Sequence, residues 1–259
     1  MLLAVDIGNT EITLGLFAGE RIEANWRLTT VANRTPDEWT VALTAYLAQA
    51  GRSTHEVRAA VIASVVPPVT EWFSAAVQQA CGVAPIEIGP RTALPLVLDV
   101  EEPLTVGADR VVNTLAATAL YGRDTIVVDF GTATTFDCIT RDGRFIGGVI
   151  APGVRTAADQ LTRRTSMLPA TDLVAPARVI GRRTDECIRA GVMFGTVELV
   201  DGIVRRIKAE WPNPETPHVV ATGGLASVIA PYSVEIEAVE PQLTLHGLRI
   251  AATHLDLTW

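Results

Sequence analysis

The chain has 259 residues, of which 48% are hydrophobic, and a formal net charge of −8. Its length supplies one large domain or two modest ones, and its acidic balance argues against the basic face that nucleic-acid-binding proteins present. No apolar stretch is long enough to span a bilayer, and three widely spaced cysteines argue against a disulfide framework or a zinc site. We therefore expect a cytoplasmic protein with no nucleic-acid or membrane partner.

In chain order, two halves show the same sequence of elements. The first half predicts strands at 2–6, 11–17 and 21–29, then a helix from Thr35-Pro36, a strand at 59–66, a helix from Pro67-Pro68 and a strand at 86–88. A helix opened by Gly107–Arg110 runs to Tyr121. The second half predicts strands at 125–129, 134–140 and 144–150, helices at 155–164 and 185–209, a strand at 217–222, a helix at 225–230, a strand at 234–239 and a helix at 243–255. This pattern predicts an α/β fold with two domains, residues 1–118 and 119–259.

Each half carries a carboxylate at a strand end, followed by glycine and hydroxyl groups. The two motifs are Asp6-Ile7-Gly8-Asn9-Thr10 and Asp129-Phe130-Gly131-Thr132. Glycine lets the backbone approach a phosphate closely, and a carboxylate beside phosphates requires a cation between them, usually magnesium. One copy alone is equally consistent with an ordinary Asx-type turn. The pair predicts a nucleotide phosphate chain held between the halves.

Several common nucleotide-binding and catalytic motifs are absent. Lys208 is the only lysine and lies in a predicted helix, so the chain has no Walker A loop. It has neither the Gly-x-Gly-x-x-Gly fingerprint of dinucleotide-binding domains nor a Gly-x-Ser-x-Gly elbow. The nucleotide site therefore depends on the two Asp-x-Gly motifs. A later Thr222-Gly223-Gly224 turn is compatible with adenosine stacking on the backbone, although such turns are common.

Asp109 lies in Gly107-Ala108-Asp109-Arg110 at a predicted helix start. One interpretation is a carboxylate favoured in the first turn by the helix dipole. The other is a base that deprotonates an attacking hydroxyl, with Arg110 holding a substrate carboxylate through two hydrogen bonds. A base near hydroxyl-rich loops and a metal meets the minimum for phosphoryl transfer. The residues alone leave both interpretations open.

These motifs together resemble those of type III pantothenate kinases, within the acetate and sugar kinase/Hsp70/actin superfamily. The matching segments stand in the family's order: Asp6–Thr10, Gly107–Arg110, Asp129–Asp137, Gly147–Gly153, Thr222–Gly224 and Leu243–Leu248. The resemblance covers essentially the whole chain. Gly-Ala-Asp-Arg combined with Asp-Phe-Gly-Thr-Ala-Thr-Thr-Phe-Asp is specific to this family. It implies duplicated ribonuclease H-like (actin-like) domains, each a mixed sheet flanked by helices.

The resemblance also implies an activity, which is transfer of the γ-phosphoryl group of ATP to pantothenate in the first step of coenzyme A synthesis. Asp109 would be the catalytic base. The ATP phosphates and magnesium would be bound by Asp6, Ile7, Gly8, Asn9, Thr10, Glu11, Ile12 and Thr13, with Thr132 contacting ATP. Asp129 would hold a potassium or ammonium ion. Pantothenate would be bound by Gly107, Ala108, Asp109, Arg110 and Thr184, the last across the interface of a homodimer.

Two positions depart from the family's pattern. Val100 stands where the family usually has a tyrosine that lines the pantothenate pocket, and Glu11 stands where a neutral or basic side chain is more usual. A negative charge near phosphates is repulsive by about 1 kcal/mol if solvated. Two alternatives therefore remain: a non-catalytic ATP-binding homologue that acts as an accessory factor for gene expression, and a kinase of another small hydroxy acid.

Overall fold

The computed structural model describes residues 1–259 and contains eleven strands and seven α-helices. The strands are β1 (Leu2–Ile7), β2 (Glu11–Ala18), β3 (Arg21–Thr29), β4 (Ala59–Ser64), β5 (Ile86–Ile88), β6 (Val97–Leu98), β7 (Thr125–Phe130), β8 (Ala133–Ile139), β9 (Arg144–Pro152), β10 (His218–Thr222) and β11 (Ala238–Val239). The helices are α1 (Pro36–Gln49), α2 (Pro67–Cys81), α3 (Ala108–Tyr121), α4 (Val154–Arg164), α5 (Thr184–Ala209), α6 (Ala226–Ile229) and α7 (Leu243–His254). No helix is long and apolar enough to cross a membrane.

The chain divides into two compact units, the first made of Met1–Leu120 with Leu243–Trp259 and the second of Tyr121–Gln242. The sequence predicts a division between residues 118 and 119 and assigns α7 to the second domain. The structure instead groups α7 with the first unit. The reason is packing, because Leu245 and Leu248 on α7 are buried in the same hydrophobic cluster as residues of β1 and β4.

The first unit contains a mixed sheet in the order β3-β2-β1-β4-β5. β1, β2 and β3 form an antiparallel meander, and β4 and β5 run parallel to β1. Alternate residues of β1 face opposite sides: Leu3 and Val5 pack with α1 and α2, whereas Leu2 and Ala4 pack with α3 and α7. Burial on both faces explains why β1 and β4 are continuous apolar runs.

The second unit repeats this arrangement. Within it the strand order is β11-β10-β7-β8-β9, with β7, β8 and β9 in an antiparallel meander and β10 and β11 parallel to β7. Each strand therefore has a counterpart at the same place in the first sheet, and β1 corresponds to β7. The duplication that the two Asp-x-Gly motifs predict is present in the fold, and the motifs follow equivalent strands.

The predicted strand over 234–239 is mostly wrong, since only Ala238–Val239 is extended and paired. Side-chain oxygens accept the hydrogen bonds of backbone N–H groups that a strand would use for pairing. The buried Asp201 carboxylate accepts hydrogen bonds from the Ser233 hydroxyl and from the N–H of Val234. The Ser233 hydroxyl in turn accepts from the N–H groups of Glu235 and Ile236. This turn-forming network overrides the strand preference of the apolar residues.

Candidate functional site

The first Asp-x-Gly motif forms the turn between β1 and β2. The N–H of Gly8 donates to the Glu11 carbonyl at 2.9 Å, which closes the turn. The start of the next loop braces it, because the Thr30 hydroxyl donates to the Gly8 carbonyl at 2.7 Å and the Thr30 N–H donates to the Thr10 carbonyl at 2.9 Å. Asn9, Thr10 and Glu11 are exposed. The turn is thus fixed through its backbone while its polar side chains are open to a ligand.

Asp6 and Thr13 lie opposite each other where the two strands approach this turn. Both side chains are half-buried. Ile7 and Ile12, which are one residue closer to the turn, are fully buried in the core. The alternation places the carboxylate and the hydroxyl on the face opposite Ile7 and Ile12, which is the face of β1 that packs with α3 and α7. Glu11 begins β2 with an exposed side chain, so its charge is well solvated.

Asp109 lies in the first turn of α3, two residues after Gly107, and Val65 lies beside Gly107. The N–H of Val65 donates to the Ile7 carbonyl at 3.1 Å, and the Val65 side chain lies 3.5 Å from where a Cβ at Gly107 would stand. That same Cβ would collide with Oδ1 of Asp109. Glycine at 107 therefore leaves the space that the Asp109 carboxylate occupies.

The Asp109 side chain is half-buried in the first turn of α3. Burial raises the pKa of Asp109 above the ordinary aspartate value, and the N–H and charge of Arg110 only partly offset this. The hydrogen bond from the Arg110 N–H to Oδ1 is 2.9 Å long. A carboxylate with a raised pKa is a stronger base than one with the ordinary pKa, so this group is suited to accept a proton from a substrate hydroxyl.

The second Asp-x-Gly motif forms the turn between β7 and β8. Its Gly131 N–H donates to the Ala133 carbonyl at 3.0 Å. The carbonyl of Thr132 accepts two hydrogen bonds from the beginning of α4, one from the Gly153 N–H at 3.2 Å and one from the Thr156 hydroxyl at 2.7 Å. This turn is therefore fixed by the helix that follows β9.

Asp129, at the end of β7, lies against the turn that follows β10. Its register partner on β10 is Thr222, and a Cβ at the next residue, Gly223, would collide with Asp129 Oδ1 and lie 2.7 Å from the Phe130 N atom. Gly223 also has φ of +88°, a conformation that favours glycine. The structure thus brings Asp129 together with Gly131, Thr132 and the Thr222-Gly223-Gly224 turn.

The remaining predicted residues lie in loops or at helix starts. Val100 is half-buried in the segment after β6, and Ala108 and Arg110 flank Asp109 in the first turn of α3. Thr184 is the exposed first residue of α5 in the second unit. Sequence reasoning missed Thr30, Val65 and Thr156, which contact the predicted residues. No local motif marks them, because each contact joins residues that are distant in the chain.

The carboxylates fit a cation that keeps much of its water shell. No group of three or more His, Cys, Asp or Glu side chains could hold a metal ion, which is unlike a closed structural zinc site. Magnesium at phosphates is commonly bound by one or two protein carboxylates together with waters and phosphate oxygens. Asp6 offers one such carboxylate beside the open β1–β2 turn.

Comparisons with known proteins agree over nearly the whole chain. A family model of type III pantothenate kinases matches residues 2–206. A type III pantothenate kinase from Thermomicrobium roseum is 48% identical over 251 residues, covering 97% of this chain and 96% of the relative. One from Geobacter sulfurreducens is 46% identical over 252 residues, covering 96% and 97%. A ROK hexokinase structure from Thermus thermophilus has a TM-score of 0.52 at 14% identity over 98% of both chains, which confirms the predicted sugar-kinase and actin-like fold.

Proposed function

The chain belongs to the type III pantothenate kinase family, and we propose that Asp109 is the base with which it phosphorylates pantothenate. The reaction transfers the γ-phosphoryl group of ATP to the primary hydroxyl of pantothenate and begins coenzyme A biosynthesis. The observation that carries the assignment is the Asp109 carboxyl, which is half-buried in the first turn of α3, has a raised pKa and occupies space that a side chain at position 107 would fill. No other carboxylate in the family's substrate motif is available for this role.

Asp109 acts by orienting the substrate hydroxyl and accepting its proton as the oxygen attacks phosphorus. The phosphoryl group passes through a loose transition state, so the protein mainly positions the reactants and neutralises charge. Arg110, beside the base, is placed to hold the carboxylate of pantothenate. The resulting separation between the carboxylate and the reacting hydroxyl selects a substrate of defined length.

The nucleotide is assigned to the two turns. The exposed polar groups and braced backbone of the first turn support phosphate binding by Asp6, Ile7, Gly8, Asn9, Thr10, Glu11, Ile12 and Thr13. Asp6 would hold magnesium, which supplies charge neutralisation at the phosphates. Thr132, in the equivalent turn of the second unit, contacts ATP. The Thr132 carbonyl accepts two hydrogen bonds from the beginning of α4, and the contact with ATP is assigned to the Thr132 hydroxyl.

Pantothenate is assigned to Val100, Gly107, Ala108, Asp109 and Arg110 of one protomer and Thr184 of its partner in a homodimer. The exposure of Thr184 at the start of α5 supports a role at a surface that a second protomer completes. A protein that sediments as a monomer while fully active would contradict the dimer.

The three cysteines form no disulfide, which supports a cytoplasmic location.

Asp129 is assigned to a potassium or ammonium ion. The support is a carboxylate at a strand end whose Oδ1 occupies space that a side chain at position 223 would fill, beside a turn with the exposed Gly131 backbone. A single carboxylate combined with carbonyl oxygens suits a monovalent cation, which needs oxygen ligands but little neutralising charge.

Replacing Asp129 with asparagine tests the cation site. We expect Asp129→Asn to raise the potassium concentration for half-maximal activity by about tenfold or more, because the neutral amide removes the charge attraction but keeps the shape. The measurement is initial rate against potassium concentration at saturating ATP and pantothenate. Asp142→Asn, in the β8–β9 turn of the same unit, is the control. An unchanged potassium dependence in Asp129→Asn would remove the cation from this site.

The raised pKa of Asp109 should be visible in the pH dependence of kcat/KM for pantothenate. The base must be ionised to act, and burial raises its pKa, so activity falls with decreasing pH at a higher pH than an ordinary aspartate would give. We expect the acidic limb of kcat/KM for pantothenate to have its midpoint clearly above the usual aspartate range. The check is a pH series at constant ionic strength, and a limb at the ordinary value would show that Asp109 is solvated in the active enzyme.

A further inference from the structure

The Thr156 hydroxyl makes a long-range hydrogen bond from the first turn of a helix. Several helical threonines in the protein donate to the carbonyl four residues earlier, among them Thr114, Thr118, Thr196 and Thr253. Thr156 instead donates at 2.7 Å to the carbonyl of Thr132, which precedes it by 24 residues. Its hydroxyl therefore connects the first turn of α4 to the β7–β8 turn.

The beginning of α4 lies directly on that turn. The Gly153 N–H also donates to the Thr132 carbonyl, at 3.2 Å, and a Cβ at Gly153 would collide with the carbonyl oxygen of Thr132. The two donors converge on one acceptor, so they fix the peptide plane between Thr132 and Ala133. A fixed plane sets the backbone conformation of Thr132 and the direction in which the Ala133 N–H points.

We propose that Thr156 is a positioning residue for the nucleotide, acting through Thr132 without touching ATP itself. The inference rests on the proposed contact between Thr132 and ATP. Thr156 holds the Thr132 hydroxyl and the Ala133 N–H in the orientation that binds the nucleotide, so that less conformational entropy is lost on binding. Asp109 is held instead by the Arg110 N–H in the first turn of α3, so loss of the Thr156 hydroxyl is expected to affect ATP binding selectively.

Replacing Thr156 with valine removes the hydroxyl and preserves the shape of the side chain. We expect Thr156→Val to raise the KM for ATP about three- to tenfold, the range for loss of one hydrogen bond at a binding site. The kcat and the KM for pantothenate should stay within about twofold. Thr156→Ser keeps the donor and should restore the KM for ATP. Thr156 is half-buried near the surface, so the valine variant is expected to fold.

Thr165→Val is the matched control, because Thr165 donates at 2.6 Å to the Leu161 carbonyl at the other end of α4. Both valine variants lose one hydroxyl-to-carbonyl bond on the same helix, and their Tm values should fall by similar small amounts. Only Thr156→Val should change the KM for ATP. An equal rise in both variants would show a general effect of weakening α4 and would overturn the inference.

Thr132→Val separates this inference from the proposed nucleotide contact. If Thr132→Val raises the KM for ATP but Thr156→Val does not, the contact stands and the positioning role is wrong. If Thr132→Val leaves the KM for ATP unchanged, the contact is wrong, and the positioning role falls with it. A rise in both variants, with recovery in Thr156→Ser, supports both.

Discussion

Replacing Asp109 with asparagine is expected to lower kcat by about a thousandfold while ATP still binds. Loss of a positioned general base typically costs between about a hundredfold and ten-thousandfold. Asparagine has nearly the same shape and can still accept the 2.9 Å hydrogen bond from the Arg110 N–H, so the local structure should survive. The measurements are steady-state kinetics with pantothenate and calorimetric titration with a non-hydrolysable ATP analogue.

The control for Asp109→Asn addresses the alternative that the carboxylate only stabilises a helix start. Asp37 lies in the first turn of α1 and is also placed to interact with a helix dipole. Asp37→Asn should lose a similar small amount of stability, on the order of 0.5 kcal/mol, with normal turnover. Near-normal kcat in Asp109→Asn would assign Asp109 this structural role and leave the reaction without its base.

Replacing Gly223 with alanine is expected to lower activity by about a hundredfold, the scale of a 1 Å displacement in an active site. The new Cβ would collide with Asp129 Oδ1 and the backbone of Phe130, so the carboxylate or the end of β10 must move. Alanine at a φ of +88° adds backbone strain. The measurements are kcat at saturating potassium and the free energy of unfolding by denaturant titration.

Gly122→Ala isolates the effect of the collision from the effect of strain. Gly122 also has a positive φ, +57°, but a Cβ there would meet nothing within 4 Å. The free energy of unfolding of Gly122→Ala should fall by about 1 kcal/mol while its activity stays normal. The free energy of unfolding of Gly223→Ala should fall by about 2 kcal/mol more than that. Equal activities in the two folded variants would show that the close approach of Gly223 to Asp129 does not matter for the reaction.

Local sequence patterns predicted most of the strands and helices. The helix start at Thr35 is an example, because its hydroxyl and the Glu38 side chain form a reciprocal capping box that depends on two residues three apart. The β1 and β4 strands are equally local, since a continuous apolar run predicts burial on both faces. The repeated Asp-x-Gly motif then predicted the duplication, which the equivalent strand orders of the two units confirm.

The details that depend on distant residues could not be predicted in this way. The segment 234–237 reads as a strand until the buried carboxylate of Asp201, some thirty residues earlier, binds Ser233 and Val234. The assignment of α7 to the first unit likewise depends on packing against β1 and β4. In the candidate site, the motifs predicted Asp109 and Asp129. The residues that brace the two Asp-x-Gly turns, such as Thr30 and Thr156, follow only from tertiary contacts.

The Val100 and Glu11 departures bear on how much activity the protein has. The structure places the Glu11 side chain in solvent, where the cost of its charge near phosphates is small. Val100 is half-buried, and under its proposed assignment to the pantothenate pocket a valine in place of the family's tyrosine changes the shape and hydrogen bonding of that pocket. We therefore expect Val100 to have the greater consequence for substrate affinity.

The measurement that tests the account most directly is ATP-dependent phosphorylation of pantothenate by the purified protein, with magnesium and with potassium, ammonium or sodium. We expect phosphopantothenate to form, with higher rates in potassium or ammonium than in sodium. Other small hydroxy acids serve as competing substrates in the same assay. No product under any cation, from a protein that still binds ATP, would contradict the kinase assignment and favour a non-catalytic homologue. Preferential phosphorylation of a different acid would contradict the substrate and identify Val100 as the first position to examine.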